Sequence, residues 1–462
     1  MNRGIILMFE IEWLTQIFPN YKVEAKHKKN TVDVVSTDSR VLESNSLFIP
    51  LIGDRFDGHN HVDEAVKRGA KAIIWNKDKP TGDIPTDISL FFVEDTLKAL
   101  QLLAAEYRKL VNPQVIGITG SNGKTTTKDL LEATLNQTYI TTATKGNFNN
   151  HIGLPLTILN MEKNTEVLIL EMGMNHFGEI ELLSEIAKPE IAIITNIGES
   201  HIEHLGSREG IKQAKLEIVK PMTKDSVLII DGDEPLLAEI NFPGKVITCG
   251  FSEANQQVIS HIKLTPSSTT FNVNEAYYEI PLLGNHHAKN ATFVIEVAKL
   301  LKVSDEKVRA GLTKINLTHM RFELITGKNN TTLINDAYNA SPTSMKASIE
   351  VVEELDGYQK KILVLGDVLE LGLDYKKYYL DISKKVNAMQ TIDEVYTYGE
   401  TSELITDYLK LNSAIIAEHF SKKELLVGKL EKQMLKNSLI FFKASRGIKL
   451  EDIIEQLKEG NK

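Results

Sequence analysis

One cysteine, Cys249, stands alone among 462 residues, so the chain can close no disulfide on itself, and a reducing compartment is the expectation. No apolar run approaches the ~20 residues that a membrane-spanning helix needs. The opening residues 1–8 carry one arginine and a short apolar run before Glu10 and Glu12 intervene, too short and too acidic for a secretory signal. Excess basic charge is lacking too: 53 Lys and Arg stand against 62 Asp and Glu, a net charge of −9, which argues against a nucleic-acid binder. Internal repeats and low-complexity tracts are absent, apart from the lysine-rich residues 26–29. These absences lead us to expect a cytoplasmic protein that neither inserts in membrane nor binds nucleic acid.

The length exceeds what one hydrophobic core serves, so about two to four domains are expected. The stretch Val115-Ile116-Gly117-Ile118-Thr119-Gly120-Ser121-Asn122-Gly123-Lys124-Thr125-Thr126 organises the chain. It reads as a β-branched strand, a glycine-bearing turn and the start of a helix. Gly120 and Gly123 permit backbone conformations that a Cβ forbids. The turn's N–H groups, those of Ser121 and Asn122 included, converge with the positive end of the helix on a point that suits a polyphosphate. Lys124 can reach the β- and γ-phosphates, and the Thr125 hydroxyl can hold Mg²⁺. The strict Walker spacing wants glycine where Ile118 stands, so this is a variant loop; the alternative is a plain strand–turn–helix corner that happens to contain Gly and Lys.

Before that loop, residues 9–112 read as a small α/β unit. Helices are expected at 11–18, 62–68 and 95–109, the last opened by an Asp95 cap, with strands at 32–36, 47–50, 72–75 and 91–93. Asn112-Pro113 marks a boundary. Ser36-Thr37-Asp38-Ser39-Arg40 and Gly53-Asp54-Arg55-Phe56-Asp57-Gly58-His59 are polar where a core would be apolar. Both fit solvated turns; both also fit a binding edge for an anionic ligand, with Arg40 as the fork.

Beyond the loop, the apolar strand 167–170 ends in Glu171, where a Mg²⁺-binding acid belongs in an open α/β sheet. A third buried strand, 191–196, delivers His201 past its end, on the same side of the sheet as Glu171; a surface histidine and a metal ligand both fit. The helix expected at 208–220 carries Lys212, Lys215 and Lys220, and spacing singles out none. Residues 246–280 are strand-rich, and a helix from 284 to 301 carries Asn290 on its first turns. From residue 318 strands at 332–335, 362–366, 394–398, 414–417 and 439–443 alternate with helices at 344–355, 375–387, 403–411, 422–435 and 450–458. That alternation predicts a mostly parallel, doubly wound sheet with polar corners at strand C-terminal ends.

Together these stretches resemble the ATP-dependent Mur ligases of peptidoglycan synthesis. The matching residues are 119–126, 147–155, 171–173, 196–206 with Ala214-Lys215, 284–290, Met320-Arg321 and 336–342, in family order over the whole chain. Asp38-Ser39-Arg40, Phe56-Asp57-Gly58-His59, Glu171-Met172-Gly173-Met174-Asn175, the corner 336–345 and Leu365-Gly366-Asp367-Val368-Leu369-Glu370-Leu371-Gly372 point, within the family, to the member that takes a dipeptide. The resemblance implies three α/β domains: 1–112 for a UDP-sugar substrate, 113–317 as the central ATP-binding domain, and 318–462 as a Rossmann-like domain that closes over the site. It implies ATP and Mg²⁺ as cofactors, with UDP-N-acetylmuramoyl-tripeptide and D-alanyl-D-alanine as substrates of an amide synthesis through an acyl-phosphate intermediate, by a monomer. It assigns catalysis to Lys124, Glu171, His201 and Lys215, the last carbamylated. Metal falls to Thr125, Glu171, His201 and the Lys215 carbamate, and the nucleotide to residues 120–126 (Gly120, Ser121, Asn122, Gly123, Lys124, Thr125, Thr126) with Asn290, Arg321 and Asp336. Ser39, Arg40, Asn149 and Asn339 go to the substrates. The chain departs from the family at His287, where Asn is usual, at Ala444, where Gly is usual, and after Gly372, where a His is often found. Ala444 leaves the roles of Lys443 and Arg446 open. The competing readings are another amide ligase of the superfamily, including a folylpolyglutamate synthase, and a nucleotide-dependent switch without ligase chemistry.

Overall fold

Three large sheets, each with its own helices, carry the described residues in sequence order, beside two short two-stranded ladders. The computed structural model describes residues 9–459 except 83, 266 and 316–318. The reading of residues 1–8 and the boundary set at 317/318 lie outside the described residues.

The first sheet has five strands in the order Tyr21–Lys22, Ser89–Val93, Ala70–Asn76, Ser46–Phe48 and Val34–Ser36, all parallel except the first pair. The strand expected at 32–36 is divided at Asp33: Thr31–Val32 pairs with Phe9–Glu10 in a separate ladder, and only Val34–Ser36 joins the main sheet. Helix Thr96–Val111 opens where Asp95 accepts the N–H groups of Leu97 and Lys98, and it buries Leu100, Leu103, Ala104 and Tyr107. It stops at Asn112, whose left-handed φ of 53° suits asparagine better than a bulkier residue, and Pro113 then forbids a further turn.

The central sheet has nine strands in the order Thr141–Ala143, Val167–Glu171, Gln114–Thr119, Ile191–Ile194, Val227–Asp231, Lys245–Gly250, Gln257–Leu264, Thr269–Val273 and Ala276–Ile280. The first seven run parallel, and the last two pairings are antiparallel. Val167–Glu171 and Ile191–Ile194 are buried along their whole length, as unbroken Val, Ile and Leu runs covered on both faces require. Gln114–Thr119 lies between them, so all three deliver their C-terminal ends to one crevice. The helix expected at 208–220 is α-helical over Arg208–Leu216 and tightens into a 3₁₀ turn at Glu217–Val219.

The third sheet has six strands in the order Glu323–Gly327, Thr331–Asn335, Ser438–Lys443, Lys360–Gly366, Glu394–Tyr398 and Ile416–Phe420. Five are parallel, as alternation predicts, and the edge strand Glu323–Gly327 is antiparallel to Thr331–Asn335. Sequence reading missed that edge strand, whose residues are only half buried, and placed the opposite edge at 414–417, before the Ile416–Phe420 strand. Among the described residues no helix is long and apolar enough to cross a membrane.

Candidate active site

The loop between strand Gln114–Thr119 and helix Lys124–Leu135 is held closed by its own lysine. Lys124 Nζ donates to the Gly120 carbonyl at 2.6 Å and lies 3.4 Å from that of Ser121. Gly120 (φ 151°) and Gly123 (φ 83°) take backbone conformations that side chains resist, and each is also a close approach. A Cβ at Gly120 would overlap the Thr195 hydroxyl; one at Gly123 would come within 2.7 Å of Asn290 Oδ1. The nucleotide-side residue expected on helix Asn285–Leu300 therefore lies against the loop.

Neighbouring strands supply the rest of the cradle. The Ser121 hydroxyl accepts from the Gly198 N–H at 2.8 Å, and the Asn122 N–H donates to Asn196 Oδ1 at 3.0 Å. The Thr195 hydroxyl and the Asn196 amide both donate to the Asn122 carbonyl. Thr126 is buried in the first turn of helix Lys124–Leu135.

Glu171, buried at the end of its strand, is the hub of the site. It receives the Thr125 hydroxyl on Oε2 at 2.8 Å and the Asn149 amide on Oε1 at 2.8 Å, while its own N–H donates to the Thr144 hydroxyl. Asn149, read from sequence as a substrate contact, thus orients the carboxylate. Thr144 was not singled out, because a threonine just past a short strand carries no pattern of its own.

The third sheet's unit reaches the same point. Arg321 Nη2 donates to the Thr125 hydroxyl at 3.0 Å, its guanidinium stacked over the Tyr338 ring with 4.4 Å to the centroid. The Ser341 hydroxyl donates to Asn122 Oδ1, and Thr343 donates to Glu199 through its hydroxyl at 2.8 Å. Asp336 accepts from Lys443 Nζ at 2.6 Å, from the Ser348 hydroxyl at 2.7 Å and from the Phe322 N–H at 3.3 Å. Lys443, left open by sequence, is therefore the partner of Asp336, and it also reaches the Asn339 carbonyl. Arg446 pairs with Glu451 at 3.0 Å.

Two expected metal ligands lie deeper or further out. Lys215 is 2 % exposed, its side chain makes no hydrogen bond or ion pair among the described residues, and burial, reinforced by the charge of Lys124, pushes its amine well below the ordinary lysine range. Burial also lowers Lys124 itself, opposed by the Glu171 carboxylate. The His201 Nδ1 lies 2.6 Å from Glu370 Oε2 of the third unit. Among the described residues no three of His, Cys, Asp and Glu are grouped as a metal site. In the first unit the Ser39 hydroxyl donates to Glu64 at 2.8 Å, and the exposed Arg40 fork is closed on Asp38 at 2.9 and 2.7 Å. That pairing holds the Asp38 carboxyl at about 2. A hollow of about 690 Å³ at Lys360, Gln390, Asp393 and Asn412 lies at the opposite end of the third sheet and touches none of these residues.

The residues of the cradle fit a nucleotide and a hard cation. Among the described residues, Asn122 Nδ2 and Arg321 Nε are buried beside the loop with no partner, as donors kept for an anion would be. Thr125 and Glu171 present adjoining oxygens, the donor type that Mg²⁺ prefers.

Comparison with known proteins finds matches along most of the chain. The Mur ligase middle domain matches residues 118–298, the Mur ligase glutamate ligase domain 320–446, and the Mur ligase family catalytic domain 31–108. The UDP-N-acetylmuramoyl-tripeptide--D-alanyl-D-alanine ligase of Bacillus subtilis is 45% identical over 437 residues, 94% of this chain and 95% of that one. MurF from Acinetobacter baumannii superposes with a TM-score of 0.85 at 29% identity, covering 98% of this chain and 99% of that one. MurF ligase from Thermotoga maritima, in complex with ADP, superposes at 0.80 and 30% identity, covering 91% and 96%.

Proposed function

The chain belongs to the Mur ligase family, and from that premise we propose that it joins D-alanyl-D-alanine to the terminal carboxylate of UDP-N-acetylmuramoyl-tripeptide at the expense of ATP, in peptidoglycan precursor synthesis. The observation that carries this reading is the Thr125 hydroxyl, met by Glu171 from the central sheet and by Arg321 from the third unit. A nucleotide switch needs the loop alone. A ligase needs a third unit that brings the amine to the activated acid. The five-stranded unit ahead of the loop sets the chain apart from a folate-type ligase, which is expected to begin near its loop.

The chemistry needs a leaving group on a carboxylate. The tripeptide carboxylate displaces ADP from the γ-phosphoryl group and becomes an acyl phosphate. The dipeptide amine then adds to that carbonyl and loses a proton, and phosphate departs with the C–O electron pair. The first step brings two anions together, so charge compensation is the dominant demand. Lys124 supplies a cation in the loop, and Arg321 a second from the third unit. Thr125 and Glu171 would hold Mg²⁺, which would supply further positive charge to the reacting phosphate. Asn149 and Thr144 keep the Glu171 carboxylate oriented.

Lys215 fits the carbamate role on chemical grounds. A buried, neutral amine adds CO₂ and releases a proton, which turns the side chain into an anionic oxygen donor. Those oxygens, with His201 and Glu171, form the donor set we assign to a second Mg²⁺. Asn290, Arg321 and Asp336 are assigned to the nucleotide, and Ser39, Arg40, Asn149 and Asn339 to the two other substrates. Residues 1–112 then bind the UDP-sugar, 113–317 bind ATP and 318–462 close over them, in a monomeric cytoplasmic enzyme.

The test is ADP release by the purified chain with ATP, Mg²⁺ and UDP-N-acetylmuramoyl-tripeptide, with and without D-alanyl-D-alanine. Strong stimulation by the dipeptide, with the matching product mass, is the expected result. Turnover with a single amino acid instead would move the chain to another branch of the family, and hydrolysis indifferent to both would favour the switch.

A further inference from the structure

His201 and Glu370 come from different domains and meet at 2.6 Å. Both hold left-handed backbone conformations, φ 65° and 62°, which residues with a Cβ adopt only where their surroundings impose them. Glu370 arrives on a rigid corner. Asp367 accepts the N–H groups of Glu400, Thr401 and Ser402, the Leu369 N–H donates to the Ser445 hydroxyl, and Val368 and Leu371 are buried beneath it. On the other side, the Glu203 N–H donates to the Glu370 carbonyl, which ties the corner to the segment that bears His201.

An accepting carboxylate at Nδ1 requires the proton on Nδ1, which leaves Nε2 as the lone-pair nitrogen of the neutral ring. We propose that Glu370 is a positioning residue of the active site: it fixes His201 as the Nδ1–H tautomer, with Nε2 reserved for Mg²⁺, so that this ligand is set only while the C-terminal domain is seated on the central one. A carboxylate behind a ligating histidine is the usual way to fix such a ring; here it is supplied across a domain boundary. Cation affinity and domain seating are thereby coupled, and each strengthens the other. The inference rests on the reading of His201 as a metal ligand, which its test separates.

Two measurements on the full chain decide it: the affinity for Mn²⁺, used in place of Mg²⁺ with ADP present, read by electron paramagnetic resonance, and the tautomer of His201 in the metal-free chain, read by ¹⁵N-histidine spectra assigned with H201A. H201A and E370A are each expected to weaken Mn²⁺ binding about tenfold or more. E370A is also expected to move His201 away from the pure Nδ1–H form. Should E370A fail to fold, E370M, which keeps the volume and cannot accept from Nδ1–H, is read in the same way. Unchanged Mn²⁺ affinity in H201A overturns the ligand role itself. Weakened binding in H201A with wild-type affinity or an unmoved tautomer in the Glu370 variant overturns only the role of Glu370. Tighter binding in the Glu370 variant also overturns it, since Glu370 would then be withholding the histidine.

Discussion

Thr125, in the first turn after the phosphate loop, donates its hydroxyl to Glu171 Oε2 at 2.8 Å, and Glu171 ends the parallel strand beside the one that leads into that loop. The register that pairs Ile118 with Glu171 is what places a carboxylate beside the helix start. Glu171→Gln keeps the shape and the Thr125 and Asn149 neighbours but removes the charge. Its kcat is expected to fall about a hundredfold or more, with a higher Mg²⁺ concentration needed for half-maximal rate. Steady-state rates across a Mg²⁺ titration check this, and unchanged circular dichroism shows that the fold is kept.

Lys124 acts on charge and on loop shape together, since its ammonium both faces the site and clasps the Gly120 carbonyl at 2.6 Å. Lys124→Ala is expected to lose about a thousandfold in turnover, the scale on which single charge-stabilising groups act in phosphoryl transfer. Near-normal ADP release from this variant would show that the loop has been assigned the wrong role.

Sequence legibility followed local pattern. The loop was readable because Gly120, Gly123, Lys124 and Thr125 each meet a local requirement of phosphate binding within a few residues. Buried parallel strands such as Val167–Glu171 were readable because solvent touches neither face. The edge strand Glu323–Gly327 was not, because an edge needs no continuous apolar run. Contacts between units were the least legible. Glu370 was quoted as part of a glycine-bounded corner, yet nothing local tells that it meets His201, 169 residues away. Arg321 and Thr125, separated by 196 residues, were both expected at the nucleotide, but not in contact. Arg40 shows the converse: a fork legible in sequence closes on its neighbour Asp38 in the folded chain.

Lys215 gives a pH dependence whose sign follows from burial. Its amine titrates well below 10.5 in the folded chain and near the ordinary value when unfolded, so between those two values the unfolded state binds the extra proton. Stability therefore rises with pH across that window. Lys215→Met removes the term. In CO₂-free buffer the variant is expected to be more stable than the parent at neutral pH, with the gap narrowing towards pH ~10, while ligase activity is lost. Denaturant unfolding of both proteins at a series of pH values checks this, and a gap that widened with pH would contradict the neutral amine.

Asp336 combines a structural and a functional role that two variants can separate. Its pair with Lys443 is largely out of water, 15% and 4% exposed. Asp336→Ala leaves the lysine buried without its counter-charge, at a cost of about 3 kcal/mol or more. Adding Lys443→Met removes the stranded cation, so the double variant should recover most of the loss, a coupling that a double-mutant cycle measures directly. The proposed contact of Asp336 with the nucleotide has no such remedy. KM for ATP is therefore expected to stay raised in the double variant even as its unfolding midpoint returns. If stability and KM recover together, Asp336 serves only to hold the corner, and the nucleotide contact belongs to another residue.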